Sequence, residues 1–173
     1  MKRDRLEQTR LLLLDVDGVL TAGEIIYSDS GEQLKIFNVK DGLGIRLLKE
    51  AGIRVGIVTG RSGRALRHRC DNLGIDLIFD GTQDKALVLP EIEQTTGIAA
   101  DRTAFIGDDL PDLPIMKRVG LAIAVADAHP QVRSAAHFVT QAGGGRGAVR
   151  EASEMILKSQ QRWDELVEKL FDG

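Results

Sequence analysis

The sequence has one cysteine, no excess of basic residues and no long apolar run. Cys70 has no second cysteine for a disulfide and no partners for a zinc site, so we predict a reduced core thiol. Lys and Arg total 23 against 26 Asp and Glu, a net charge of -3, which argues against a nucleic-acid-binding surface. Nowhere do 18 apolar residues run together, so no membrane-spanning helix is predicted. The apolar run at residues 11–14 is too short for the core of a signal peptide. These absences predict a soluble cytoplasmic protein.

The apolar residues that are present suffice for one domain. The 173 residues are 43% hydrophobic, which predicts a single globular domain over residues 1–173. Short apolar runs alternate with helical patterns, and we predict buried strands at residues 11–14, 55–58, 77–79, 104–106 and 121–125. This alternation predicts an α/β fold, a Rossmann-like parallel sheet sandwiched by helices.

Local signals suggest where two of the helices begin and end. We predict Ser62 as the N-cap of a helix that stops before Gly74, because serine favours N-caps and glycine favours the position after a helix. Another helix is predicted from Asp84 to near Gly97. Pro90 lies inside that pattern and either kinks the helix or starts a new one.

Two segments interrupt the alternation. Residues 23–38 contain two short apolar runs around a Ser-Asp-Ser-Gly turn, which predicts a β-hairpin projecting after the first strand. Residues 143–147 are Gly-Gly-Gly-Arg-Gly and precede a helical stripe that runs from Val149 to Leu170. We therefore expect a hairpin flap at 23–38 and a glycine-rich tail with a C-terminal helix at 143–173.

Polar residues follow the predicted strands, where parallel sheets bind ligands. Asp15 and Asp17 follow the first strand, Thr59 follows the second, and Asp108 with Asp109 follows the fourth. A single Asp at such a place is usually a turn or capping residue. Four carboxylates together would repel one another without a cation, and oxygen ligands without His or Cys favour Mg²⁺. We therefore predict a magnesium site.

The same residues suggest phosphoryl transfer. Asp15 would attack phosphorus, and Asp17, two residues on, would protonate the leaving oxygen and later activate water. Thr59 would donate a hydrogen bond to the phosphoryl oxygens, and Lys85 with Mg²⁺ would neutralise their charge. Such a site would pass phosphate from a small ester to water through an aspartyl-phosphate.

The order and spacing of these residues resemble the four motifs of the haloacid dehalogenase superfamily of phosphatases. The motifs are Asp15-Val16-Asp17-Gly18-Val19, Thr59, Lys85 and Gly107-Asp108-Asp109-Leu110-Pro111-Asp112. The resemblance implies that Asp15 is the nucleophile and a metal ligand, that Asp17 offers its backbone carbonyl to the metal, and that Asp108 completes the ligand set. It also implies that Thr59 and Lys85 bind phosphate and that Asp109 and Asp112 support the site.

Nearly the whole chain is similar to the members of that superfamily that act on sugar-acid phosphates in lipopolysaccharide synthesis. Further matching segments are residues 37–42, 59–61, 69–70, 124–128 and 144–151. The resemblance implies the absence of a cap domain and a homotetramer built partly by the hairpin, with neighbours covering each other's active sites. It also implies that the glycine-rich tail can reach a neighbouring site.

The substrate-binding residues are predicted next to the phosphate site. Gly60, Arg61 and Arg69 are expected to face the sugar, since Arg suits bidentate pairing with a carboxylate. Lys40 and Arg146 are weaker candidates. Arg61 favours an eight-carbon sugar acid, because relatives acting on the nine-carbon sugar tend to have Glu there; the nine-carbon ester or other small phosphates remain alternatives.

Two functions from other classes fit the sequence less well. A signalling receiver domain also gathers acidic residues, Thr and Lys around magnesium, but it has its acidic pair on the first strand and its phosphoacceptor on the third. This chain has Asp15 and Asp17 after the first strand and its acidic pair after the fourth. An inert binding module is disfavoured because every expected catalytic residue is present.

Overall fold

A six-stranded parallel sheet forms the centre of the fold. The computed structural model describes residues 2–172; residues 1 and 173, the predicted limits of the domain, lie outside them. The strands are β1 (Leu11–Leu14), β2 (Ile26–Tyr27), β3 (Gln33–Leu34), β4 (Arg54–Val58), β5 (Leu77–Phe79), β6 (Thr103–Gly107), β7 (Leu121–Ala124) and β8 (Phe138–Val139). The sheet order is β5-β4-β1-β6-β7-β8, and β2 pairs with β3 in a separate antiparallel hairpin. The predicted α/β class is confirmed.

Helices connect and cover these strands. They are α1 (Lys2–Gln8), α2 (Val39–Glu50), α3 (Arg64–Leu73), α4 (Leu89–Thr96), α5 (Leu113–Met116), α6 (Pro130–Ala135), α7 (Ala148–Ser159) and α8 (Trp163–Asp172). Short 3-10 helices occur at Lys85–Val88, Ala100–Arg102 and Leu110–Asp112. Helices α2 and α7 pack against each other, and α8 packs on α7. Within residues 2–172 no helix is long and apolar enough to span a membrane.

The four leucines of β1 explain why this strand is central. All four are fully buried, as expected for a strand with neighbours on both sides and helices on both faces. Leu14 pairs with Ile57 of β4 and with Ile106 of β6. After β1 the chain adds β4 and β5 on one side and then returns to place β6 on the other. This reversal opens a crevice beyond the ends of β1 and β6.

The ends of α3 and α4 confirm one local prediction, contradict another and resolve the role of Pro90. Gly74 ends α3 in the left-handed conformation, as predicted, but the N-cap is Gly63, so the Ser62 prediction was wrong. Pro90 is the second residue of α4 and follows a 3-10 helix, so it starts a new helix instead of kinking one. Its missing N–H costs nothing there, since the first N–H groups of a helix have no intrahelical acceptor.

The apolar stripe predicted from Val149 to Leu170 belongs to two helices, not to one. Residues 160–162 separate α7 from α8, so that α8 buries Leu166 while Leu170 stays 57% exposed. Gln161 has a φ of 57° at this break, and Arg162 N–H donates to Leu157 at 2.9 Å, a helix-ending pattern. Cys70 is buried as predicted, and burial raises the pKa of its thiol to about 11.

The N-terminus of helix α7 is capped by a carboxylate from another helix. Asp41 of α2 is buried, and its Oδ1 accepts a hydrogen bond from Arg150 N–H at 2.8 Å. Burial raises the pKa of Asp41, while backbone N–H groups of Arg150, Gly147 and Val149 act in the opposite direction. The carboxylate therefore serves the free N–H groups at the start of α7 and joins two helices distant in sequence.

Candidate active site

Two aspartates meet in the crevice between the central strands. Asp15 follows β1 and Asp108 follows β6, and Asp15 N–H donates to Ile106 O at 3.1 Å. The cleft that they line has a volume of about 500 Å³. It is also lined by most of the other residues predicted for the site: Asp17, Thr59, Gly60, Arg61, Lys85, Asp109 and Asp112.

Lys85 joins the acidic residues in a buried network. Its ammonium lies 2.8 Å from Asp15 Oδ1 and 2.5 Å from Asp112 Oδ1, and its side chain is 5% exposed. Burial disfavours the charged form of Lys85, but Asp15 and Asp112 outweigh it and the pKa is raised. Burial raises the pKa of Asp15, although the nearby ammonium of Lys85 acts to lower it. Lys85 is therefore the fixed positive charge of the cleft.

Asp108 lies where its charge is not compensated. Burial raises the pKa of Asp108 to about 8, and repulsion by Asp15 and Asp112 adds to this shift. Its Oδ1 is buried and has no hydrogen-bond partner among the described residues. A Cβ on Gly18, whose φ is +91°, would lie 2.0 Å from Asp108 Oδ2, so only glycine fits in the loop beside it. A buried carboxylate oxygen without a hydrogen-bond partner is suited to be a cation ligand.

The acidic cluster has the composition of a site for a hard cation. Carboxylate oxygens of Asp15, Asp108 and Asp112 lie within 4.8 Å of one another. Asp112, however, already accepts from Lys85 through Oδ1, and from the N–H groups of Asp108 at 2.9 Å and Asp109 at 3.3 Å through Oδ2. Its oxygens hold the loop after β6, whereas those of Asp15 and Asp108 are better placed for an ion. The donor set fits Mg²⁺.

Asp17 is held by a residue that the sequence analysis missed. Lys35, which follows β3 of the hairpin, forms an ion pair with Asp17 Oδ1, and its side chain is 4% exposed. Arg61 Nε lies 3.9 Å from Asp17 Oδ2, and Arg61 Nη2 is 3.4 Å from the Tyr27 hydroxyl. In the sequence Lys35 lies between Leu34 and Ile36 of the predicted hairpin, so no local signal separates it from a solvated lysine.

Thr59 lies on the other wall of the cleft, at the end of β4. Its side chain is buried, and Arg61 N–H is 3.5 Å from the Thr59 hydroxyl. Its backbone is fixed by hydrogen bonds, because Thr59 N–H donates to Phe79 O at 2.9 Å and Thr82 N–H donates to Thr59 O at 3.0 Å. The hydroxyl and the turn of residues 59–61 thus face the cleft from a rigid strand end.

Three predicted residues do not line this cleft. Arg69 is on α3, where it donates to Asn38 O at 3.2 Å and lies 5.6 Å from the centre of the Phe37 ring. Lys40 and Arg146 are exposed, in the first turn of α2 and in the glycine-rich segment respectively. Their predicted contacts with substrate stay predictions.

The glycine-rich segment packs on its own chain. Gly145 N–H donates to Val19 O at 2.8 Å, and Gly144 N–H donates to Asp127 Oδ1 at 2.9 Å. A Cβ on Gly144 would lie 1.8 Å from Gly18 O, so the backbones are in direct contact. The segment therefore supports the loop that follows the predicted nucleophile.

A larger cleft, of about 730 Å³, lies at the opposite end of the strands. Its arginines already bind main-chain carbonyls: Arg10 donates to Glu7 O at 2.8 Å, and Arg162 donates to Ala51 O. It contains no cluster of carboxylates among the described residues. Size alone would select this cleft, but the chemistry selects the crevice at β1 and β6.

Comparisons with known proteins show the family to which this chain belongs. Residues 76–149 match the model of the haloacid dehalogenase-like hydrolases. The 3-deoxy-D-manno-octulosonate 8-phosphate phosphatase of Escherichia coli strain K12 is 46% identical over 159 residues, 92% of this chain and 85% of the relative. The crystal structure of that phosphatase from Yersinia pestis has 46% identity and a TM-score of 0.92, covering 94% of this chain and 88% of that one.

A third comparison includes ligands. The phosphatase of the same name from Moraxella catarrhalis, solved with magnesium, phosphate and 3-deoxy-D-manno-octulosonate, is 39% identical with a TM-score of 0.95, covering 98% of this chain and 97% of that chain. This chain therefore belongs to the haloacid dehalogenase-like hydrolases, as its motifs predicted. The relatives named here are phosphatases of one sugar-acid phosphate, whereas none is a receiver domain.

Proposed function

We propose that this protein is a magnesium-dependent phosphatase that hydrolyses 3-deoxy-D-manno-octulosonate 8-phosphate to the free sugar acid and phosphate, in lipopolysaccharide precursor synthesis. The observation that carries the proposal is the convergence of Asp15, Lys85 and Asp108 at the crevice between β1 and β6. The relatives' shared activity supports the choice of substrate.

The residues suited to hold Mg²⁺ are Asp15 and Asp108 through their carboxylates and, by family resemblance, Asp17 through its backbone carbonyl. The unpaired Oδ1 of Asp108 and its raised pKa support this assignment. Bound there, the ion would neutralise charge on the phosphoryl oxygens. Asp112 and Asp109 support the loop that bears Asp108, through their hydrogen bonds to its backbone and at its cap.

Asp15 attacks phosphorus, and the bond from phosphorus to the sugar oxygen breaks. Asp17 gives its proton to that leaving oxygen, so the sugar departs as an alcohol. Asp17 then takes a proton from water as the water attacks phosphorus; the bond to Asp15 breaks and phosphate leaves. Lys85 and the Thr59 hydroxyl stabilise the transferring group throughout, because both are fixed before substrate arrives.

Arg61 is the best-placed residue for the sugar carboxylate. Its guanidinium lies beside the cleft with its side chain 45% exposed, near enough to Asp17 to reach a ligand there. A planar guanidinium can bind a carboxylate through two hydrogen bonds. Gly60 leaves space next to it, since a Cβ there would meet only Thr82 O, at 3.7 Å.

The assembly is proposed to be a homotetramer in the cytoplasm. Residues of the hairpin region expose large apolar side chains, which is unusual for a free surface: Ile25, Tyr27, Leu34, Ile36 and Val39. A neighbouring copy that covers this patch would also come close to the cleft that the hairpin borders. Lys40, Arg69 and Arg146 would then be candidates for contacts with a neighbour's substrate.

The test compares phosphate release by the parent and by Asp15→Asn, each with Mg²⁺ and with chelator. We expect turnover to fall by on the order of 10⁴-fold or more in Asp15→Asn, because its amide cannot form the aspartyl-phosphate. Chelation should abolish turnover of the parent, and added Mg²⁺ should restore it. Retained activity in Asp15→Asn would refute the mechanism, and a preference for the nine-carbon ester would refute the substrate.

A further inference from the structure

Lys35 is partly buried as a residue, but its side chain is almost fully covered, and neither the family motifs nor the main-chain pairing of the fold gives it a role. Its side chain is 4% exposed, although it belongs to a projecting hairpin whose neighbouring residues Leu34 and Ile36 are 53% and 73% exposed. A buried ammonium is costly unless a carboxylate pairs with it. The partner of Lys35 is Asp17 Oδ1. A charged residue of the hairpin therefore reaches inward to the proposed acid and base.

The contact treats the two oxygens of Asp17 differently. Lys35 binds Oδ1, while Oδ2 is buried and has no hydrogen-bond partner among the described residues. The torsion that turns a carboxylate about its own bond is soft, so an isolated Asp does not fix the direction of its oxygens. The ammonium of Lys35 supplies that restraint at Oδ1, while Oδ2, 3.9 Å from Arg61 Nε, makes no hydrogen bond within the described residues.

The hairpin has a second polar contact with the cleft. The Tyr27 hydroxyl, on β2, lies 3.4 Å from Arg61 Nη2, and Arg61 Nε lies 3.9 Å from Asp17 Oδ2. Strands β2 and β3 form a sheet of their own, so main-chain pairing with β1 does not set the position of the hairpin. The two sides of the hairpin thus contact neighbouring residues of the cleft: Lys35 contacts Asp17, and Tyr27 contacts Arg61.

We propose that Lys35 is a positioning residue for the reaction, which orients Asp17 so that its free oxygen delivers the proton to the leaving group. The proposal rests on the proposed function, in particular on Asp17 as the acid. Lys35 acts through Asp17 and is not itself assigned a contact with substrate. If Lys35 has this role, the position of the hairpin determines how well the leaving oxygen is protonated.

The experiment uses the dependence on the leaving group. A sugar alcohol leaves poorly without a proton, whereas nitrophenolate leaves readily. For Lys35→Met we expect kcat/KM to fall on the order of 10²-fold for 3-deoxy-D-manno-octulosonate 8-phosphate, the scale of general acid catalysis. For p-nitrophenyl phosphate we expect a fall of less than about 3-fold, since kcat/KM reports the first phosphoryl transfer. Lys35→Arg, which keeps the charge, should recover part of the loss.

Two reference variants make the result decisive. Asp17→Asn should lower kcat/KM for the sugar phosphate, relative to p-nitrophenyl phosphate, even more than Lys35→Met does. Lys117→Met, which removes an exposed lysine, should leave kcat/KM unchanged for both substrates. Equal losses on both substrates for Lys35→Met and Lys35→Arg, or no loss at all, would overturn the role of Lys35. If Asp17→Asn shows no difference between substrates, the proposed acid is wrong and the role of Lys35 fails with it. Circular dichroism checks that each variant is folded.

Discussion

The two ends of the cleft are built differently. At the phosphate end, Asp15, Lys85 and Asp112 are buried on strand ends and loops of the central sheet, with Lys85 5% exposed between two carboxylates. At the end proposed for the sugar, Asp17 and Arg61 are partly exposed and are contacted by a two-stranded hairpin outside the sheet. In the proposed mechanism, the core therefore determines the geometry of phosphoryl transfer, whereas the contacts with the leaving group and the sugar depend on a peripheral element. Variants can test this contrast through the free energy of unfolding.

Removing the central charge of the phosphate end should have the largest effect. Lys85→Met leaves Asp15 and Asp112 without their cation in a buried site, and breaking such a pair costs about 3–5 kcal/mol. Urea unfolding of the metal-free protein measures the loss. The matched control is Lys158→Met, which breaks a surface pair with Glu154 whose lysine is 54% exposed, and it should cost less than about 1 kcal/mol. Similar losses for the two variants would show that the phosphate end is not held by its buried network.

The support behind the cleft should come next. Asp41→Ala removes the carboxylate that accepts from Arg150 N–H at the start of α7, and loss of a cap of this kind costs about 2 kcal/mol. Hydrogen exchange should quicken at residues 147–150, which lead out of the glycine-rich segment. Asp71→Ala, on the exposed side of α3, should change stability by less than about 0.5 kcal/mol. Unchanged exchange in Asp41→Ala would mean that α7 does not depend on this carboxylate.

A pH-dependent effect should follow from Asp108. The pKa of Asp108 is about 8 in the folded chain, against an ordinary value of 3.8. Between pH 3.8 and pH 8, the folded chain therefore keeps a proton on Asp108 that the unfolded chain has released. Stability without metal should therefore fall as pH rises toward 8, by at most about 1.4 kcal/mol per pH unit. Urea unfolding between pH 6 and 9 in chelator measures it. Asp108→Asn or saturating Mg²⁺ should flatten the slope, and a slope that survives both would assign it to other groups.

The smallest effect on the folded chain is expected at the hairpin. Ile36→Ser changes a side chain that is 73% exposed, so the stability of the isolated chain should change by less than about 0.5 kcal/mol. If the hairpin forms the proposed tetramer, sedimentation should nevertheless show a smaller assembly. Leu87→Ser, equally apolar and 68% exposed but away from the hairpin, should leave the assembly unchanged. An unaltered tetramer in Ile36→Ser would place the interface elsewhere.

Much of the fold could be predicted because its signals are local. The leucines of β1 form a continuous apolar run, and the residues that follow each strand are polar, so the strand ends and the acidic residues could be predicted together. β8 was not predicted, because a strand of two residues has no periodicity to recognise. The break between α7 and α8 was also missed, since the apolar spacing continues across it.

The residues that follow each strand could be recognised from the sequence alone, and with them the family and the proposed roles of Asp15, Lys85 and Asp108. The contacts of Lys35 with Asp17, 18 residues away, and of Asp41 with Arg150, 109 residues away, are visible only in the folded chain. Burial patterns and turns depend on residues that are neighbours in sequence, and they can therefore be recognised locally. A contact between distant charged groups forms only after the sheet and helices have packed, and neither partner shows it alone.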